Sequence, residues 1–167
     1  MLSLCSCQIN APQLDRLTTT VQQLVSDSSN RDIYKYLWTA RIGSEGRLMT
    51  AQASDGFIVF TSEEGDAVAF DGWQIRSLIG FSDYGPRQIV VALPKLHFRT
   101  NKRSTYTSCE HWSADENQRS ITIYKQACGR SGENQITKDD EGTIREIRHI
   151  IDETGTMITL TKLMAPD

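Results

Sequence analysis

Four cysteines and three histidines are the residue types in this sequence that could support nucleophilic or metal chemistry. The histidines, His97, His111 and His149, fall in separate predicted strands, a placement typical of cross-strand partners rather than of ligands or bases. Cys109 and His111 would share one face of a strand, but residues two apart lack the hydrogen-bond geometry of a nucleophile and its base. The P-loop, the G-x-S-x-G elbow and the H-E-x-x-H motif are missing from the sequence. We therefore predict that the protein is not an enzyme and has no catalytic residue, no metal site and no cofactor.

Cys109 and Cys128 are candidates for a disulfide in an oxidising compartment, since their spacing does not match a zinc site. Residues 103–112 and 120–126 are predicted to form a hairpin that turns near residues 115–118. In that register Cys109 would face a residue near 124, so a bridge to Cys128 requires the loop after Ala127 to fold back. The spacing alone leaves the bonded and the free states open.

The N-terminal residues Leu4-Cys5-Ser6-Cys7 are similar to a bacterial lipobox, in which small side chains precede a cysteine that becomes lipidated. Cys7 would then carry the lipid through its thioether, and residues 1–9 would be the remnant of a signal and a tether. Acyl chains contribute about 0.8 kcal/mol per buried CH₂, so several chains hold a domain at a bilayer. An ordinary terminus with two incidental thiols is the alternative.

Aromatic side chains are the candidates for ligand contact. Tyr34, Tyr36 and Trp38 follow one another at spacing two in a predicted strand, and Trp73 begins another. Such rings could line a pocket or stack on sugar rings. Packing in the core is the alternative.

The elements that position these residues are one helix and many strands. Leu14, Leu17, Val21 and Leu24 recur at helical spacing, which predicts an α-helix over residues 11–25 that Asn10 caps. From residue 34 the period changes to two, with turns rich in Gly, Asn and Asp. We predict a mainly β fold: an antiparallel, bent or closed β-barrel-like sheet of about ten strands after one N-terminal α-helix. A barrel and a sandwich both fit this pattern.

The length and the charge of the chain limit the classes of function that it can have. The chain has 167 residues, typical of one domain, which we place at residues 10–167. It carries 18 Lys and Arg against 21 Asp and Glu, and both signs are scattered along it. No basic stripe is present, so we predict no nucleic-acid partner. No run of 18 apolar residues occurs, so we expect contact with a membrane only through a lipid anchor.

Two parts of the sequence carry a family pattern. Residues 61–80 contain a strand, an Asp-Gly hairpin and an apolar-basic-Ser-apolar strand that leads into a glycine. Residues 150–155 end in Asp-Glu-Thr-Gly, and a last strand closes with Leu-Met-Ala-Pro over residues 163–166. These patterns resemble the group 4 capsule polysaccharide lipoprotein family, the GfcB/YjbF/YmcC type.

The resemblance implies a β-barrel-like domain held by lipidated (palmitate-bearing) Cys7 at the periplasmic face of the outer membrane. It implies an accessory, non-catalytic part in capsule or exopolysaccharide assembly or export. The expected partners are other envelope polysaccharide-export proteins or the polysaccharide itself. A soluble β-barrel that binds a small ligand, with Trp38 and Trp73 lining its pocket, is the alternative function.

Overall fold

The computed structural model describes residues 36–81, 84–92, 94–118 and 120–164. These residues form one antiparallel sheet of thirteen strands, which confirms the mainly β, barrel-like prediction in its coarse form. The predicted helix over residues 11–25, Cys7 and Tyr34 all lie outside the described residues. In the described part of the chain, no helix has the length and apolar character needed to cross a membrane.

The strands follow one another along the chain with short connections. The first eight are β1 (Leu37–Ile42), β2 (Glu45–Ser54), β3 (Phe57–Thr61), β4 (Ala67–Phe70), β5 (Ile75–Ile79), β6 (Arg87–Ala92), β7 (Lys95–Arg99) and β8 (Ser104–Ser108). The last five are β9 (Ser113–Gln118), β10 (Ile121–Ala127), β11 (Glu133–Asp139), β12 (Ile144–Ile150) and β13 (Met157–Lys162). A single 3₁₀ turn, Gly129–Ser131, follows β10 among the described residues.

Turn chemistry explains the hairpins. Between β2 and β3, Ser54 pairs with Phe57, so the connection consists of Asp55 and Gly56 alone. Both have positive φ, at 47° and 80°. This is the type I′ geometry whose twist matches that of the flanking strands, and Asp-Gly adopts it readily.

The sheet is a meander in which the pairing of consecutive strands is interrupted once, between β8 and β9. Its order is β8-β7-β6-β5-β4-β3-β2-β1-β13-β12-β11-β10-β9, so each strand pairs with its sequence neighbours and β1 also pairs with β13. β8 and β9 are consecutive in sequence but form the two edges. The sheet is therefore an open half-barrel rather than a closed barrel.

The predicted hairpin of residues 103–112 with residues 120–126 is wrong. The predicted strand 103–112 is divided, because β8 ends at Ser108 and β9 begins at Ser113. The partner of β10 is β9, with Tyr124 opposite Ala114. β7 follows Pro94 directly and contains His97, and β7 and β9 together raise the strand count above the predicted ten.

The core fills the inner face of the half-barrel. Trp38, Ala40 and Ile42 of β1 are buried while the residues between them are exposed, as strand alternation requires. Trp38 packs edge-to-face on Phe60, with ring centroids 5.1 Å apart. Fully burying one such large side chain contributes about 1.5–3 kcal/mol. The largest fully buried side chains are Phe60, Phe70, Phe81, Phe98, Ile42, Met49, Ile75, Leu78, Ile89, Leu96, Ile136 and Ile147.

Polar contacts join the first eight strands to the last five across the opening. Thr105 of β8 donates to a carboxylate oxygen of Glu153 at 2.8 Å. Thr107 of β8 and Ser131 of the 3₁₀ turn share a hydrogen bond of 2.9 Å. The edge strand β8 therefore lies against the connections of the far half, although no strand pairing closes the sheet.

Candidate functional site

An exposed aromatic cluster lies where the β4–β5 turn meets β10 and β11. Its members are Trp73, Trp112, Tyr124 and Lys138, and we call it the Trp73 cluster. The ring centroid of Trp73 is 5.6 Å from that of Trp112 and 5.2 Å from that of Tyr124. The ammonium nitrogen of Lys138 lies 5.0 Å from the Trp73 ring and 5.1 Å from the Tyr124 ring. These distances are within the range of cation–π contact.

The local sequence of the β4–β5 turn holds Trp73 outward. One carboxylate oxygen of Asp71 accepts the backbone N–H groups of Trp73 and Gln74, at 2.9 and 2.7 Å. Its other oxygen pairs with Arg76 at 2.8 Å. Gln74 points into the interior and is 5% exposed, whereas Trp73 is 41% exposed. The turn thus presents an indole ring to solvent on a fixed backbone.

A buried amide network anchors this turn to the far half of the sheet. The side-chain N–H of Gln74 donates to Gln126 at 2.9 Å, and Asn134 donates to the same oxygen at 3.0 Å. Gln126 donates in turn to the carbonyl of Glu110 at 2.8 Å. Because these amides are buried, each unmade hydrogen bond would cost about 1–3 kcal/mol. The network therefore fixes the position of the Trp73 turn relative to β10 and β11.

His149 of β12 ends the network and is fully buried. Its Nδ1 contacts the carbonyl of Ile150 at 2.8 Å, and its Nε2 contacts the side-chain oxygen of Gln74. Burial lowers the pKa of the imidazole to about 4, against the opposing effects of the Ile150 carbonyl and the Asp71 carboxylate. The ring is therefore neutral at pH 7, and only one of its two nitrogens donates a hydrogen.

The indole N–H of Trp112 is buried without a hydrogen-bond acceptor among the described residues. Trp112 itself is half-buried beneath Trp73. Its ring packs against Trp73, which is the most exposed of the four cluster residues, since the other three are half-buried.

The cluster offers ring faces and a positive charge on one surface. The negative face of an aromatic ring attracts weakly positive C–H groups and cations. A flat ligand with C–H groups on one side, such as a sugar ring, matches the Trp73 indole. The arrangement suits binding, because the nearest polar atoms of the network are enclosed behind the rings.

The predicted ligand-facing aromatics separate in the structure. Trp73 is in the cluster, whereas Trp38 is 5% exposed in the core. Tyr36 lies just before β1 and is 41% exposed. Trp38 packs against Phe60 in the core whereas Trp73 is turned to solvent, so the two rings proposed to line one pocket lie in different environments.

Sequence reasoning missed the other members of the cluster. Trp112, Tyr124 and Lys138 come from three separate segments, and only the curling of the sheet brings them beneath the β4–β5 turn. The one available signal was the alternation of β10, which places Tyr124 on the same face as buried Gln126.

Within the described ranges, the two cysteines and the histidines other than His149 lie outside the Trp73 cluster. Cys109 and Cys128 are joined in a disulfide that links the end of β8 to the end of β10. His97 packs against Tyr106 with ring centroids 5.9 Å apart, and His111 is exposed. Among the described residues, no group of three or more His, Cys, Asp or Glu side chains is arranged to hold a metal ion.

A second concave region of about 580 Å³ lies over β1, β2, β12 and β13. Its lining includes Arg41, Arg47 and Glu146 together with threonines of β1 and β13. Arg47 is already paired with Asp66 at 2.8 Å. The region holds no aromatic ring, and the Trp73 cluster remains the better candidate for binding.

The fold defines an open, antiparallel half-barrel, and comparison with known structures agrees. The hypothetical lipoprotein YmcC from Escherichia coli (K12) is similar in structure, with a TM-score of 0.53 and 9% sequence identity. The match covers 89% of this chain and 96% of that chain. At this identity the likeness shows a YmcC-like fold. No protein-family model matches the chain, and no curated protein matches its sequence.

Proposed function

We propose that this chain is a bacterial envelope lipoprotein with an accessory, non-catalytic part in capsule or exopolysaccharide assembly or export. Three observations support the proposal: the lipobox-like residues before Cys7, the resemblance of residues 61–80 to the capsule lipoprotein pattern, and the fold shared with a hypothetical lipoprotein. The periplasmic face of the outer membrane is the proposed location.

The Trp73 cluster is the single observation that carries the saccharide-binding part of the proposal. The Trp73 indole is 41% exposed, and a ligand that covers its face would remove apolar surface from water. The backbone that carries the indole is fixed by the Asp71 carboxylate. Preorganisation of this kind lowers the entropy cost of binding. The polysaccharide is thus the proposed direct ligand, and export proteins are the proposed partners.

A non-catalytic role is part of the same proposal. The Cys109 thiol, the candidate nucleophile, is committed to a disulfide. Nε2 of His149 faces the amide of Gln74 rather than solvent. Both observations favour a protein that holds a ligand over one that transforms it.

Metabolic labelling with palmitate tests the lipid anchor. The gene is expressed with its full upstream region, and Cys7→Ser is compared with Cys5→Ser. We expect label in the wild type and in the Cys5→Ser protein, and none in the Cys7→Ser protein, because the lipobox-like spacing designates Cys7. Label of wild-type strength in Cys7→Ser would contradict the proposed attachment.

Polysaccharide retention tests the binding role. Exopolysaccharide from the source bacterium is immobilised, and Trp73→Ala is compared with Tyr106→Ala, which removes an aromatic ring that is 55% exposed on β8. We expect Trp73→Ala to weaken binding about tenfold, which corresponds to about 1.4 kcal/mol of lost stacking. Tyr106→Ala should bind as the wild type does. Equal binding by all three proteins would refute the assigned site.

A further inference from the structure

We propose that the Trp73 cluster takes an acidic saccharide, whose carboxylate pairs with the Lys138 ammonium while its ring stacks on Trp73. This inference deepens the proposed saccharide-binding function and rests on it. It names the chemical class of the ligand and makes Lys138 the residue that determines specificity.

The placement of Lys138 is the first argument. Its ammonium nitrogen lies 5.0 Å from the Trp73 ring centroid and 5.1 Å from that of Tyr124. Within the described ranges, none of the ion pairs involves Lys138. The ammonium group lies beside both rings, and an ammonium carries three donors, which the two ring faces do not all satisfy. Among the side chains that the structure describes, the cluster therefore presents a positive charge with no carboxylate in ion-pair contact.

Two carboxylates close to the cluster in the described part of the chain, Asp139 and Asp71, are already committed. Asp139 follows Lys138 in the chain, but it pairs with Arg145 at 2.6 Å and accepts the N–H of Thr143 at 2.8 Å. Asp71, in the turn that carries Trp73, is held by Arg76 and by the turn backbone. Neither side chain can turn toward Lys138 without breaking these bonds. An external anion is thus the complementary partner.

The size of the exposed surface favours a sugar over a membrane. Trp73 is 41% exposed, while Trp112 and Tyr124 are half-buried behind it. The accessible apolar face is therefore about that of one indole, which matches one pyranose ring. A lipid surface would be met by a larger apolar face ringed by several basic residues.

Binding of polygalacturonate oligomers tests the proposal, with fully methyl-esterified oligomers as the neutral match. The two have the same sugar ring and differ in the carboxylate. We expect calorimetry at low salt to show about tenfold tighter binding of the acid form, the ratio that about 1.4 kcal/mol produces. Raising the salt concentration should weaken only the acid form, because screening acts on the charge pair.

Variants of Lys138 test whether this residue causes the preference for the acid form. Lys138→Gln should bind the acid about tenfold more weakly than the wild type and the ester unchanged, and Lys138→Arg should retain the preference. Lys95→Gln is the matched control, because Lys95 lies 4.5 Å from the ring centroid of exposed Tyr106 on β8. It should bind both oligomers as the wild type does. Circular dichroism verifies that each variant keeps its sheet.

Each contrary result has a distinct meaning. Equal binding of the acid and the ester by the wild type would overturn the acidic preference. If Trp73→Ala then lost the binding of both oligomers, the proposed saccharide site itself would be retained. Binding of neither oligomer would overturn the inference, independently of the retention of native exopolysaccharide. Binding to phosphatidylglycerol vesicles that Trp73→Ala and Lys138→Gln abolish, without oligomer binding, would replace it with a membrane-surface site.

Discussion

His149 shows how a buried side chain and an exposed one are connected through a single turn. Its ring contacts Gln74, and Gln74 is the residue next to Trp73. Each ring nitrogen of His149 faces a hydrogen-bond acceptor, and this arrangement favours the charged imidazolium. Burial of the ring favours the neutral form. Burial has the larger effect, so the pKa lies at about 4.

The first prediction follows from that pKa. The unfolded imidazole titrates near 6.5 and the folded one at about 4, so the unfolded state binds the proton first as the pH falls. We expect this group to remove about 3 kcal/mol from the free energy of unfolding between about pH 6.5 and pH 4. Urea unfolding at several pH values measures the loss.

His149→Asn lacks the titrating ring, so its stability should fall less over this pH window than that of the wild type. His111→Asn, at an exposed position, is the control and should follow the wild type. Identical pH profiles for the wild type and His149→Asn would show that the ring does not resist protonation.

At the scale of elements, the disulfide lies where the chain passes from β8 to β9, the two edges of the sheet. Cys109 and Cys128 are 19 residues apart and join the ends of β8 and β10. The N–H of Glu110 also donates to the carbonyl of Ala127 at 2.8 Å. The chain therefore crosses from one sheet edge to the other at this point, which is why β8 and β9 do not form the hairpin that their proximity in sequence suggests.

The second prediction concerns this crossing. Replacing both cysteines by alanine should lower the free energy of unfolding by about 3 kcal/mol, because a loop of this length is no longer closed in the unfolded chain. Denaturant titration measures the change. Dithiothreitol should destabilise the wild type by a similar amount and leave the double variant unaffected. A wild type that is insensitive to the reductant would argue against the bond.

For the whole molecule, stability depends on tying the two halves of an open sheet together. Arg87 of β6 donates to the carboxylate of Asp152 at 3.1 Å and to the carbonyl of Ile151 at 2.9 Å. Asp152 also accepts from Thr154 and Thr156 in the β12–β13 turn. Burial raises the pKa of Asp152, but these hydrogen bonds outweigh it and lower the pKa to about 2.

The third prediction follows from that pKa. Because the folded value lies below the unfolded value of 3.8, the stabilisation is present above about pH 4 and is lost as the pH falls toward 2. Asp152→Asn should cost about 2 kcal/mol at pH 7 and should make the acid dependence in that window shallower by the contribution of this carboxyl. Asp140→Asn, at an exposed position in the β11–β12 turn, should change neither the free energy of unfolding at pH 7 nor its dependence on acid. Acid titration of the unfolding free energy tests both, and equal losses in the two variants would refute the link.

Much of the fold followed from local patterns. The Asp55-Gly56 turn and the alternation of Trp38, Ala40 and Ile42 predict antiparallel hairpins, because turn type and strand period are properties of neighbouring residues. The lipobox-like cysteine and the family pattern are local as well. The bounds of the short strands β7 and β9 are poorly marked in the sequence, because Pro94 and the polar residues around 113–118 weaken the alternation signal.

The Trp73 cluster, in contrast, is a product of tertiary structure. Tyr124 and Lys138 are neighbours through the pairing of β10 with β11, but Trp73 comes from the other half of the sheet and meets them and Trp112 only because the sheet curls. The same curling buries Trp38, although its spacing from Tyr36 resembles that of an exposed stripe. Strand period determines which side chains share a face, but the curvature of the sheet decides which of those faces are enclosed and which distant residues meet.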